Sequence, residues 1–279
     1  MEKEKCKICG SKNNLLFSGK ILNKYEISYF QCPNCGFIQT EEPYWLDESY
    51  SSAITDLDIG YVSRNMMYND FVSSFILNNK QFDDCGRFLD YGGGYGLFVR
   101  MMRDKGFDFY REDKYCDNFF AKHFDLKDIM SKSQFEILTC FEVFEHLVNP
   151  LFEIEEMLKY SNSIFFSTEL VPQKKLTSVY DWWYFAPEHG QHIAFYTLKS
   201  LEYIAEKYGL NFYTNNQSTH LFTNRVLNSS CLYLQKRNIL HRIFRHFFPS
   251  DQGKKVKTSL LNQDVQYIQF LLNQKIHSL

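Results

Sequence analysis

No apolar run in this 279-residue chain approaches the length of a membrane span. The opening Met1-Glu2-Lys3-Glu4-Lys5 is charged where a secretory leader needs an apolar centre, so a cytoplasmic location is expected. Internal repeats and low-complexity tracts are also lacking, which excludes a solenoid array or a disordered scaffold as the main organisation. A surplus of either charge is nearly absent: 31 Lys and Arg face 33 Asp and Glu, leaving −2. So balanced a chain offers no general field for polyanions. Four of the eight cysteines, Cys85, Cys116, Cys140 and Cys231, follow no pairing pattern, and disulfides are not expected in a reducing compartment. What remains is a chain long enough for one sizeable enzyme-like domain with small appendages.

The most informative segment is Arg87-Phe-Leu-Asp-Tyr-Gly-Gly-Gly-Tyr-Gly-Leu-Phe-Val-Arg100. An apolar strand ends in an acid, passes through glycines and continues as a helix. Glycines let the backbone turn tightly and approach a ligand, and the helix start offers free N–H groups. A dinucleotide loop needs G-x-G-x-x-G/A, whose last position must be small. From Gly92 that position is Leu97, and from Gly94 it is Val99, so the dinucleotide reading fails. The pattern is instead acid-x-G-x-G-x-G, with Asp90, Gly92, Gly94 and Gly96. In this the chain resembles the class I S-adenosylmethionine-dependent methyltransferases. The resemblance implies that the glycines pass along the methionine part of the cofactor and that Asp90 meets its amino group.

The helix from Leu97 ends at Gly106, and Phe107 to Arg111 reads as a second strand ending at Glu112-Asp113. An acid about 20 residues past the glycine loop can accept both ribose hydroxyls. Asp113 takes that part, since Glu112-Asp-Lys-Tyr115 resembles the family's Asp-x-Tyr; Arg111 stands where relatives often carry glycine. Phe135-Glu-Ile-Leu-Thr-Cys-Phe-Glu-Val-Phe-Glu-His-Leu-Val-Asn-Pro150 resembles the family's fourth-strand segment, and Glu142 falls at its carboxyl end, where ligands collect. Glu145 and His146 read more as loop-fixing groups than as site residues.

Ile164 to Thr168 is a fifth strand, followed by a long aromatic loop, Asp181-Trp-Trp-Tyr-Phe-Ala-Pro-Glu-His-Gly-Gln-His-Ile-Ala-Phe-Tyr-Thr197. Long loops in compact domains are usually functional. This one resembles the Pro-Glu-His…Phe-Thr/Ser segment of small-molecule and sugar methyltransferases. Aligning its downstream part places His192 on the family's histidine, with His189 as an extra one. A hydroxyl acceptor must lose a proton, and a base titrating near neutrality suits that step. The aromatic side chains would wall off water. Thr197 is expected to cap a helix ending at Gly209.

Cys6-x-x-Cys9 and Cys32-x-x-Cys35 can set four thiolates tetrahedrally around zinc, a closed and therefore structural site. A small ribbon of this kind ahead of the methyltransferase domain is also what one group of sugar-modifying relatives looks like. Residues 229–279 hold a basic, aromatic stretch and then Leu260, Leu261, Val265, Ile268, Leu271 and Leu272 at near-helical spacing. The pattern suits a helix docked on the domain or on a second subunit, which makes a homodimer through this helix a candidate assembly.

The expected fold is therefore α/β: a Rossmann-like, doubly wound, mostly parallel sheet with an N-terminal zinc ribbon and a C-terminal helical tail. The expected domains are 1–45, 46–228 and 229–279, with an amphipathic helix around Tyr61 to Asn79. The expected activity is methyl transfer from S-adenosylmethionine to a small molecule, with a sugar or sugar nucleotide for a surface glycan as acceptor and oxygen as the methylated atom. Rival readings are a sugar C-methyltransferase, whose relatives usually carry a longer C-terminal domain, and a ribosomal RNA methyltransferase. The second conflicts with residues 1–45, whose six Lys and five Glu make a poor phosphate surface, so no stable nucleic-acid partner is expected. A non-catalytic ribbon that recruits a partner would tolerate a broken glycine loop, and this loop is intact.

Overall fold

The computed structural model describes residues 5–50, 59–129, 134–232 and 257–277. The basic aromatic stretch between 231 and 256 lies largely outside them.

The central sheet is built around β4 (Arg87–Tyr91), whose Phe88, Leu89, Asp90 and Tyr91 are all buried because helices cover both faces. β5 (Asp108–Glu112) pairs parallel to one side of it and β6 (Ile137–Cys140) to the other. β7 (Ser163–Ser167) continues the parallel run. Beyond it, β10 (Thr219–Thr223) runs antiparallel to both β7 and the edge strand β9 (Asn211–Thr214). The resulting order is β5-β4-β6-β7-β10-β9. The glycine loop joins β4 to α3 (Leu97–Asp104), and α4 (Pro150–Leu158) starts with proline in its first turn. The long α2 (Tyr61–Asn78) packs against α3 ahead of the loop. These bounds match the sequence reading to within a residue or two.

The N-terminal residues form an antiparallel hairpin, β1 (Asn14–Ile21) and β2 (Tyr25–Gln31), extended by β3 (Ile38–Thr40). A short α1 (Leu46–Ser49) follows. The fourth strand of this sheet comes from far along the chain: β8 (Ala194–Phe195), at the end of the aromatic loop, pairs with Ile38 and Gln39. Immediately after it, Thr197 caps α5 (Leu198–Lys207) by accepting from the Ser200 N–H, as its sequence position suggested. The same threonine donates its hydroxyl to the Cys35 carbonyl at 2.6 Å. Phe17 and Tyr29 of the hairpin share a core with Trp182, Tyr184, Phe185 and Phe195. Most of the loop's aromatic crowding is thus explained by packing against the ribbon. Trp182 is buried there, so it does not wall a substrate, and Trp183 is exposed.

At the other edge, Arg111 of β5 forms an isolated parallel bridge to Asp125. Against this edge lies α6 (Leu261–His277). Asp264 meets Arg103 in a buried pair, Tyr267 reaches the Phe124 ring, and Ile268 packs into the core. The tail helix therefore docks on its own domain. Leu261 and Val265, which the apolar spacing placed on the docking face, are half exposed, and the buried position between them is the acid Asp264.

Candidate active site

The glycine loop leaves β4 with Gly92, Gly94 and Gly96 at φ of +72°, +52° and +83°. A β-carbon at Gly92 would lie 2.5 Å from the Val143 side chain, so that position is closed to larger residues. At Gly94 the nearest atom would be the Tyr61 hydroxyl, 3.5 Å away, an ordinary contact, so this part of the loop is less crowded than Gly92. Asp90 lies beneath it: its carboxylate sits 2.8 Å from where a Gly93 β-carbon would be. It accepts a 2.6 Å hydrogen bond from Thr139, and burial pushes its pKa up to about 7. A dry carboxyl of this kind suits a cationic ligand, whose charge would favour the ionised form.

Asp113 is at the loop as expected. One of its oxygens accepts from the Gly94 N–H at 2.9 Å, and the other accepts from the N–H groups of Tyr115 and Cys116. Its carboxylate therefore also fixes the loop. Glu142 stands at the carboxyl end of β6 in a left-handed conformation, φ +55°. It accepts from the Tyr68 and Ser167 hydroxyls at 3.0 and 2.9 Å, and Arg64 approaches to 3.7 Å. Asp90, the glycines, Asp113 and Glu142 thus all gather at the carboxyl ends of β4, β5 and β6, the place where open α/β sheets bind ligands. These residues fit S-adenosylmethionine: a glycine cradle, a buried acid for its charge and further acids at the flanking strand ends.

Sequence reasoning passed over Arg111 as a minor departure. It is buried and organises the cofactor side, donating to the carbonyls of Gly94 and Cys116 and pairing with Asp125 at 2.8 Å. A guanidinium's five donors can tie three segments at once. The sequence marks it weakly, since its strand also carries Asp108 and Glu112.

The second group of residues belongs to the acceptor side. His192 sends Nδ1 to the Tyr184 carbonyl at 2.6 Å, which makes Nδ1–H the donor and leaves the Nε2 lone pair available. Its ring lies 5.0 Å from those of both His146 and His189. His189 Nδ1 accepts from the Gln191 N–H at 3.2 Å, so its Nε2 carries the proton in the neutral ring. The third histidine, His146, meets the Tyr50 hydroxyl through Nδ1 at 3.0 Å. Burial, reinforced by the neighbouring imidazoles, holds His146 down to about 4 and His192 well below the ordinary histidine range. Both rings are neutral at physiological pH. Glu145, next in sequence to His146, is fully buried, and burial followed by the charge of Glu142 raises its pKa well above normal. His220, by contrast, is a structural histidine, bonded to Thr214 and to the Thr168 carbonyl.

The four N-terminal cysteines meet as their spacing required. Cys6 and Cys35 sulfurs are 3.6 Å apart, Cys9 and Cys32 3.4 Å, and all four fall within 4.8 Å of one another. Tetrahedral Zn–S bonds of about 2.3 Å demand sulfur separations close to these. The two knuckles are built alike: Gly10 and Gly36, both at positive φ, donate their N–H groups to the carbonyls of Cys6 and Cys32. The donor set fits zinc.

The family described as "Methyltransferase domain" matches residues 65–215, more than half of the chain. The chain belongs to this family. It is an S-adenosylmethionine-dependent methyltransferase of class I. No curated protein matches it. Among solved structures, the plantazolicin methyltransferase BpumL, in complex with a monoazolic desmethylPZN analog and SAH, is 13% identical with a TM-score of 0.41 and covers 65% of this chain and 93% of its own. Magnesium protoporphyrin IX methyltransferase from Synechocystis PCC 6803, with bound SAM, gives 11%, 0.34, 64% and 90%. An O-methyltransferase family protein from Burkholderia thailandensis gives 12%, 0.37, 65% and 67%. The assignment rests on the domain match. Among the described residues, no helix of this methyltransferase is long and apolar enough to cross a membrane.

Proposed function

We propose that this methyltransferase transfers a methyl group to a hydroxyl oxygen of a small polar acceptor, a sugar or sugar nucleotide destined for a surface glycan. The observation that carries the reading is His192 of the aromatic loop, its Nδ1 held by the Tyr184 carbonyl and its Nε2 left to accept a proton, set beside His189 and Glu145. On this reading Asp90, Gly92, Gly94, Gly96, Asp113 and Glu142 hold S-adenosylmethionine. Once bound, the cofactor supplies an activated methyl on a sulfonium, so the protein's task is alignment and proton removal.

His192 takes the acceptor's hydroxyl proton at Nε2, its tautomer fixed by the Tyr184 carbonyl. His189, its ring 5.0 Å from that of His192, lines the acceptor side beside the base. Tyr184, whose ring centre is 4.6 Å from that of His192, shields the pair from water. The ribbon reads as a structural zinc module that anchors the loop through β8.

The test is a panel of nucleotide-sugars incubated with enzyme and methyl-labelled S-adenosylmethionine, with products read by mass spectrometry. The expected product carries one O-methyl group. His192→Ala should lower turnover by roughly 100-fold while leaving cofactor affinity unchanged. Label appearing on a carbon, or only on RNA, would overturn the acceptor assignment, and a fully active His192→Ala enzyme would make this histidine structural.

A further inference from the structure

Glu145 is the least explained carboxyl group among the described residues. It lies in the short turn 144–146 with no exposed surface, and among the described residues neither oxygen has a hydrogen-bond partner of ordinary geometry, the Tyr184 hydroxyl being the one side-chain donor beside it. A buried carboxyl left so costs a folded protein one to several kcal/mol, which asks for a reason. Its position is not an accident of a loose loop, because its own carbonyl accepts from the Ile193 N–H at 2.9 Å and ties the turn to the start of β8.

What surrounds it is a ligand set. One atom each from Glu145, His146 and His192 lies within 4.8 Å of the others, and His146 Nε2 stands 3.9 Å from Glu145 Oε1. Both imidazoles have the far nitrogen occupied: Nδ1 of His192 by the Tyr184 carbonyl, Nδ1 of His146 by the Tyr50 hydroxyl. Ligating histidines are typically held in this way, the outer partner fixing the ring and leaving Nε2 for the ion. Recruitment of the set would displace the Tyr184 hydroxyl from Glu145 and the Gln191 backbone from His146 and release the carboxyl proton, leaving both outer Nδ1 contacts in place.

We propose that Glu145, His146 Nε2 and His192 Nε2 form a binding site for one divalent transition-metal ion of the zinc class, separate from the four-cysteine centre. Two imidazoles and a carboxylate leave a coordination position open, the arrangement of reactive rather than structural zinc sites. Two ions per chain therefore belong to two chemistries: a closed thiolate centre in the ribbon and an open nitrogen–oxygen centre beside the acceptor.

The site's role rests on the O-methylation reading, while its occupancy does not. With the ion present, His192 Nε2 is its ligand and no longer the base, and the ion takes over activation of the acceptor hydroxyl, which binds at the open position. Its O–H proton passes to water, a new O–CH3 bond forms, the CH3–S bond of the sulfonium breaks, and the sulfur leaves as a neutral thioether.

The experiment is metal analysis of the full-length protein equilibrated with zinc and passed through a desalting column. Two zinc ions per chain are expected for the parent, one for Glu145→Gln, one for His146→Ala, and one for Cys32→Ser. Circular dichroism of the two cluster variants confirms that they are folded. Calorimetric titration of zinc into protein stripped with a mild chelator should show a second binding event that Glu145→Gln abolishes. A parent that holds one ion, lost only in Cys32→Ser, would overturn the proposal, as would a second ion retained by both cluster variants. Because the readout is stoichiometry, an inactive acceptor panel would not count against the site, and an active one would not rescue it.

Discussion

Asp90→Asn tests the idea that the cofactor pocket stores a dry carboxyl in wait for a cation. Asp90 is 4% exposed, has one hydroxyl partner, and titrates at about 7 instead of 3.8. Because the folded protein holds this proton more tightly than the unfolded chain, the group's contribution to stability is fully present below about pH 4. It is lost as pH rises through about 7. Three pKa units at 1.36 kcal/mol each make the full loss about 4 kcal/mol, of which the interval from pH 5.5 to 7 contains about 2 kcal/mol. Denaturant titrations of parent and Asp90→Asn protein at half-unit steps from pH 5.5 to 8.5 should therefore diverge, the parent losing about 2 kcal/mol relative to the variant. Saturating S-adenosylmethionine should flatten the difference, since a positive charge beside the carboxylate stabilises its ionised form. Calorimetry should show weaker cofactor binding by the variant. Parallel curves without cofactor would mean that Asp90 is ionised throughout, and the argument from burial would fail.

Asp113→Ala should weaken S-adenosylmethionine binding at least tenfold, because it removes an acid at the strand end and frees the Gly94 N–H; calorimetry giving unchanged affinity would refute the ribose assignment. Cys32→Ser should release the ribbon zinc and loosen the β3–β8 pairing, so that turnover falls far more than cofactor affinity; equal losses in both would contradict the anchoring role. Asp264→Ala should destabilise the protein by about 1–3 kcal/mol, less than the cost of a fully orphaned buried charge, because Arg103 keeps Asp108 and Arg100 keeps Asp104. It accepts two bonds from Arg103, at 2.9 and 2.7 Å, and forms an ion pair with Arg100 at 2.9 Å, and a denaturation midpoint within error of the parent's would show that α6 is dispensable.

The features legible in the sequence were those carried by short local strings. Acid-x-G-x-G-x-G sets its own backbone angles, two Cys-x-x-Cys-Gly knuckles set their own turns, and Thr197 sets its own helix cap. What stayed hidden depends on partners far away in sequence. Arg111 became intelligible only when the loop and Asp125 closed around it. β8 is two residues long, too short for any periodicity, and exists because Ile38 and Gln39 wait beside it. The tail helix was read by its leucines, yet its seating is decided by Asp264 finding a buried arginine 161 residues earlier. Glu145 and His146 were weighted toward loop structure, since their spacing in sequence gives no sign that His192 returns to them.

The strand shared between ribbon and aromatic loop has a consequence for anyone cutting or grafting this protein. A shortened version starting after residue 45 would strip β8 of its neighbour and leave Phe195 and Trp182 facing water, so the smallest working unit begins at the first knuckle. A chimaera meant to change acceptor preference has to exchange the hairpin and the 181–197 loop together. Over evolutionary time the same pairing couples change in the two segments, because β8 finds its strand partner in β3 and the loop's aromatics share one core with the hairpin.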